Sequence, residues 1–127
     1  MTRPTTIPAT VAEPADAAAT RIETHGWHVG AMYDKTHQDP WTAPACASGA
    51  LWLSAGIDPA RATVALWKGP KAELVRQVEA RLEALPQIRP YWVPVWNDAP
   101  GRTAEQVVAA FRAVARIACA EVKTAGR

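Results

Sequence analysis

The stretch "VWNDAPGRTAEQ", residues 95–106, holds a tryptophan, an amide, a carboxylate, a Pro-Gly reversal, an arginine and a helix start in twelve residues. Two readings of it lead to different architectures. Read as a cluster of reactive groups, it makes the flanking segments a scaffold for a site. Read as turn chemistry, it ends one segment and opens a long helix. Turn chemistry accounts for more of it. Asn97 or Asp98 suits an Asx turn, in which the side chain accepts a nearby backbone N–H. Ala99, Pro100 and Gly101 supply the reversal, and Arg102 is spaced to pair with Asp98 across it. Thr103 with Gln106 is a capping-box pattern, a reciprocal pair of hydrogen bonds at a helix start. Trp96 and one polar group of Asn97 are left without a role. The functional alternative has Asn97, Asp98 and Arg102 projecting into a pocket beside Trp27 or Trp96.

After the cap, the pattern predicts a helix from about Ala104 to Lys123, with Val107, Phe111, Val114 and Ala118 as its buried stripe. Before it, "QIRPYWVPVW" is apolar, aromatic and broken by prolines, which predicts an extended segment or an edge strand. "GPKAELVRQVEARLEALP" predicts a helix with Leu74, Val78, Leu82 and Leu85 facing inward and Glu73, Arg76, Glu79 and Glu83 solvated. "IDPARATVALW" predicts a short helix with Asp58 as N-cap and Pro59 at its first position.

"TAPACASGALWLSAG" predicts a further helix, with Thr42 as N-cap, Pro44 in the first turn and Gly56 at the end. Ala45, Gly49 and Leu53 are spaced by four, which suits close approach of another helix. Ahead of it, Gly26–Pro44 reads as a long loop, with Trp27, Val29 and Tyr33 able to form a short strand. Ala15 to His25 predicts the first helix, stopped by Gly26. Residues 1–14, rich in Thr and Pro, read as a flexible arm, leaving residues 15–127 as one domain. The expectation is a mainly α fold: a compact four- to five-helix domain with one or two short extended segments.

Composition bounds the function. At 127 residues, 49% hydrophobic and 20% charged, the chain suits one globular domain. A net charge of +2, with arginines scattered among acids, argues against a nucleic-acid partner. There is no apolar run of membrane-spanning length and no secretory signal, so the reading is cytoplasmic, with Cys46 and Cys119 reduced and no membrane involvement. No cofactor is implied, and the dispersed glycines form no phosphate loop. His25, His28, His37 and Cys46 lack the tight paired spacing of a zinc site, so no metal is expected.

Two functional classes lead, with nucleic-acid binding through the scattered arginines a third and weaker reading. Six tryptophans against one phenylalanine is an unusual split. Each indole N–H needs a partner, so some rings belong at a core edge or groove. The leading expectation is a binding or interaction module. Trp27, Trp41, Trp92 and Trp96, with Arg102, would line a surface for a protein partner, a small ligand or a second copy of the chain. The alternative is a thiol-dependent enzyme. Cys46 falls in the first turn of a helix, where amide donors and the helix dipole lower a thiol pKa. It would be the nucleophile, with His28 as base and Asn97 or Asp98 as orienter.

Three features together carry a resemblance: "HGWHVGA" at 25–31, "CASGAL" at 46–51 and "WNDAPGRTAEQVVAAFRAVA" at 96–115. The chain resembles a domain-of-unknown-function family of small proteins from high-GC bacteria and their phages. The resemblance implies that Trp27, Cys46, Gly49, Trp96, Asn97, Asp98, Arg102 and Thr103 belong to a shared framework. It implies no activity.

Overall fold

The computed structural model describes residues 7–61 and 63–125. Among them are six α-helices: α1 (Ile7–His25), α2 (Ala47–Ser54), α3 (Val64–Lys68), α4 (Pro70–Glu83), α5 (Val93–Asn97) and α6 (Ala104–Ala125), with a 3-10 turn at Pro40–Thr42. The fold is mainly α, as the sequence predicts. No strand occurs among the described residues. Trp27 and Tyr33, expected in a short strand, each make only an isolated bridge, both to Ala45.

The two long helices form the base. Val11, Ala15, Ala18 and Ile22 of α1 and Val107, Phe111, Val114 and Ala118 of α6 are buried, each at helical spacing, and α1 with α6 is the largest contact in the molecule. Small residues on α1 let the helices approach closely, and α6 supplies the bulk. Burying a side chain such as Phe111 fully is worth roughly 2 kcal/mol. Arg112 clamps the pair from outside, donating to Asp16 at 2.9 Å and Glu23 at 2.8 Å.

α1 begins earlier than expected. Residues 7–14 are helical rather than an arm, and Pro14 lies inside the helix. A proline there costs an intrahelical hydrogen bond. Burial of Val11 and Ala12 offsets that loss, a tertiary gain that local composition does not reveal. The remainder of the expected arm, residues 1–6, lies outside the described residues. Gly26 ends α1 at φ +102, a conformation that favours glycine, and donates its N–H to Ile22.

α2 packs against α1 and is buried at every residue from Ala47 to Leu53. It starts later than the sequence suggests. Thr42 belongs to the 3-10 turn, which Asp39 caps by accepting the Trp41 N–H, and Cys46 is the true N-cap of α2. Arg21 fixes the turn to α1 by donating to the carbonyls of Pro40, Trp41 and Ala43. Its guanidinium pKa is lowered by burial and partly restored by Asp39.

The loop from Gly26 to Asp34 wraps the strand-like approach to α2. His28 N–H bonds to the Ala45 carbonyl, Asp34 N–H to that of Pro44, and Cys46 N–H to that of Met32. The close approach that Gly49 permits is therefore made by a loop carbonyl, not by a second helix. A Cβ on Gly49 would lie 1.8 Å from the Met32 oxygen.

Two other segments differ locally. Asp58 does not cap a helix. Its Oδ1 accepts the Tyr33 hydroxyl and the Ala60 N–H in a turn, and Thr63 caps α3 instead. Residues 87–96 are a turn followed by α5, not an extended strand. The Glu83 carboxylate at the end of α4 accepts the Val93 N–H, closing the first turn of α5 from outside.

Because the atoms facing Gly49 are Met32 backbone, Gly49→Ala has no flexible side chain to displace. The variant is expected to lose about 3 kcal/mol or more. Urea unfolding followed by tryptophan fluorescence measures it. A variant as stable as the parent would refute the crossing.

Candidate functional site

α5 and the turn behind it place the residues of the opening stretch. Asn97 is completely buried. Its Oδ1 accepts the Trp27 indole N–H at 2.7 Å and the Ala47 N–H at 3.0 Å. Its Nδ2 donates to the His28 carbonyl at 3.2 Å and to Asp98 Oδ1 at 2.8 Å. An amide has two acceptor sites and two N–H donors, and here all are used. Ala47 opens α2, so Asn97 satisfies one of the donors that a helix start leaves free. Asp98 Oδ1 also accepts the Gly30 N–H at 3.2 Å. The Asn97–Asp98 pair thus fastens the 27–30 loop and α2 to α5. Local turn chemistry is a minor part of what these side chains do.

Cys46 completes the α2 start. Its sulfur accepts the Gly49 N–H at 3.3 Å and lies 4.0 Å from Met32 Sδ. Burial pushes the thiol pKa up, and Asp98 and Glu79 push it further. The N–H groups of Gly49 and Ser48 pull it partly back. Desolvation therefore outweighs the helix start, and the group is held as a thiol. Only 5% of Cys46 is exposed. His28 reaches this neighbourhood through its backbone: its N–H bonds to Ala45 and its carbonyl to Asn97. The imidazole acts elsewhere, since it helps His37 to lower the Asp34 carboxyl, which two hydrogen bonds from Thr36 hold down first.

Glu79, expected on the solvated side of α4, is half-buried and accepts the Ser48 hydroxyl at 2.8 Å. Burial raises its pKa and Glu83 adds to the rise, while the Ser48 bond and Arg76 oppose it. Ser48 sits among small residues in sequence, and nothing in that pattern marks it as the partner of an acid. Among the described residues no group of three His, Cys, Asp or Glu side chains is placed to share a metal ion.

The tryptophans do not form one surface. Trp27 is half-buried and spends its N–H on Asn97. Trp52 is buried edge-on against Trp67, with ring centroids 4.6 Å apart. Trp41 is exposed on the 3-10 turn, and Trp92 is 72% exposed at the N-cap of α5. Trp96 is 2% exposed, and its indole N–H is buried without a partner. Arg102 does not pair with Asp98. Its guanidinium lies 4.4 Å over the Trp96 ring, its Nε donates to the Trp96 carbonyl, and its Nη1 donates to Gln106. Thr103 and Gln106 form the capping box the sequence predicts, with bonds of 3.2 and 3.1 Å.

Beside this stack opens a cleft of about 660 Å³, lined by Tyr91, Pro94, Val95, Trp96, Asp98, Ala99, Pro100 and Arg102. Tyr91 and Val95 are exposed along it, and Trp92 is exposed next to it in the chain. Sequence reasoning missed Tyr91, Pro94 and Val95 because it took the segment as extended. An extended segment alternates its faces, whereas one helical turn places Val95 and Trp96 in the same cleft.

Residues 6–117 match a family of unknown function, DUF6197. The chain belongs to that family. No curated protein and no solved structure matches it. The family spans α2, the 26–34 loop, α5 and most of α6, so the Asn97 junction lies wholly inside the matched region. No helix among the described residues is long and apolar enough to cross a membrane.

Two measurements check this geometry. Asn97→Ala strands the Trp27 and Ala47 donors and is expected to cost about 2–4 kcal/mol in urea unfolding. Asn97→Asp is expected to cost more at neutral pH, since it sets a charge against the His28 carbonyl and Asp98, and to recover on acidification. An unperturbed Asn97→Ala variant would contradict the junction. In thiol labelling with iodoacetamide at neutral pH, exposed Cys119 serves as the internal standard. The native protein is expected to take one label quickly, at Cys119, and a second only on unfolding. Rapid double labelling would show Cys46 to be reactive.

Proposed function

We propose that the protein is a small interaction module that docks a segment of a protein partner on the face formed by residues 91–102. The reading rests above all on Trp92. It is the most exposed large apolar side chain among those of the described residues, and it adjoins Tyr91, Val95 and the cleft floored by Trp96. Tryptophan and tyrosine supply much contact area at low entropic cost and are enriched at interface hot spots. The floor is rigid, because Trp96 is fixed by Arg102 and α5 by Asn97 and Glu83. Trp27 and Trp41 drop out of the proposed face. Two free cysteines suit a reducing compartment, which favours action in the cytoplasm. The buried, high-pKa Cys46 thiol favours this reading over thiol catalysis.

The six indole N–H groups give separate NMR reporters in 15N-labelled protein. Screened against a set of small aromatic and aliphatic fragments, Trp92 and Trp96 are expected to shift while Trp52 and Trp67 stay still. Tyr91→Ala and Trp92→Ala are expected to remove the response, with unfolding stability within about 0.5 kcal/mol of the parent. Fragments that gather on Trp52 and Trp67, or leave residues 91–102 untouched, would overturn the proposal.

A further inference from the structure

The chemistry of the partner follows from how the two charges lining the cleft are used. Arg102 is committed: its guanidinium covers the Trp96 face at 4.4 Å, and Nε and Nη1 donate to the Trp96 carbonyl and Gln106. A cation laid on an aromatic ring is already neutralised in part by the ring's own charge distribution. Asp98 is different. It is exposed and lines the cleft, and both of its hydrogen bonds converge on Oδ1, from Gly30 and from Asn97. Its Oδ2 accepts none among the described residues, and no ion pair reaches it from Arg102 or any other described cation. The carboxylate is therefore held in place by one oxygen, while the other accepts no hydrogen bond from the described residues on a side chain that lines the cleft. The rest of the lining is apolar or aromatic.

We infer that the cleft takes an extended segment in which a lysine or arginine side chain adjoins apolar or proline residues, with the Asp98 carboxylate holding the cation and the exposed Tyr91, Pro94 and Val95 surfaces receiving the apolar part. This rests on the docking reading above and specifies its ligand. Aromatic grooves favour proline-rich extended chains, which are preformed and lose little entropy on docking. The carboxylate adds selection by charge, and it is preorganised because Gly30 and Asn97 fix its orientation.

Three capped pentapeptides test it: Pro-Leu-Lys-Pro-Pro, and the same sequence with norleucine or glutamate in place of lysine. Each is titrated into the full chain while the indole resonances are followed. The lysine peptide is expected to shift Trp92 and Trp96 and to bind about threefold or more tightly than the norleucine peptide, as befits a half-exposed ion pair. The glutamate peptide should bind weakest. The preference should vanish in Asp98→Asn, which keeps an Oδ1 acceptor for Gly30, and should shrink in high salt. Equal binding of the lysine and norleucine peptides at Trp96 overturns the charge inference and leaves the docking reading standing. A lysine preference that survives in Asp98→Asn overturns the role of Asp98. If no peptide moves Trp92 or Trp96, the docking reading falls with it.

Discussion

The buried amide of Asn97 ties the loop after α1, the start of α2 and α5 into one arrangement. A polar group in a dry interior is tolerable only when its hydrogen bonds are made. Asn97 makes all of its bonds, and its partners come from three separate segments: the loop after α1, the start of α2, and its own neighbour Asp98. Each partner is satisfied only if the others are in place. The amide therefore specifies one arrangement of these segments, where hydrophobic contact alone would accept several. Asparagine suits this post better than aspartate or glutamine. Aspartate has no N–H for the His28 carbonyl, and glutamine adds a methylene that a closed site cannot hold.

Around that amide, α2 is built to be approached rather than exposed. Its first donors go to Asn97 and the Cys46 sulfur, and its one glycine lies beneath the Met32 carbonyl. Cysteine is a weak cap, since sulfur is a poor acceptor. In this position a small, largely apolar side chain is an advantage, because the site is buried and next to Met32. The same burial that makes it a good cap makes it a poor nucleophile. The acids nearby reinforce the point by raising the cost of a thiolate.

Much of the fold was legible in the sequence. Helical spacing marked α4 and α6, the Thr103–Gln106 box was read from four residues, and Gly26 and Gly56 marked helix ends. What was not legible shares a physical cause: it depends on contacts between distant segments. Pro14 looked like the end of an arm because a proline's local cost is visible and its offset by burial against α6 is not. Residues 92–96 looked extended because prolines and β-branched residues favour that state locally, whereas Glu83 and the core hold them in a helical turn. At the candidate site, the identities of Asn97, Asp98, Arg102 and Cys46 were noticed but their partners were misassigned. Spacing suggested Asp98 with Arg102, and the structure gives Asp98 with Gly30 and Arg102 with Trp96. Pairing by sequence distance fails where a side chain has a better partner far along the chain.

The pairing of α1 with α6 joins the first and last helices of the described chain. The stripe of Val11, Ala15, Ala18 and Ile22 has its main cover on a helix that begins at Ala104, and the Arg112 clamp joins residues 96 and 89 positions apart. The Asn97 amide likewise ties positions 70 and 50 residues apart. α2 and α4 precede α6 among the main partners of α1, so the main cover of α1 is the last of the described helices. Closing loops of this length costs entropy before any contact repays it. The alanines of α1 present a shallow apolar surface, and the bulk that turns it into a core comes from the far end of the chain, from Phe111 and Val107.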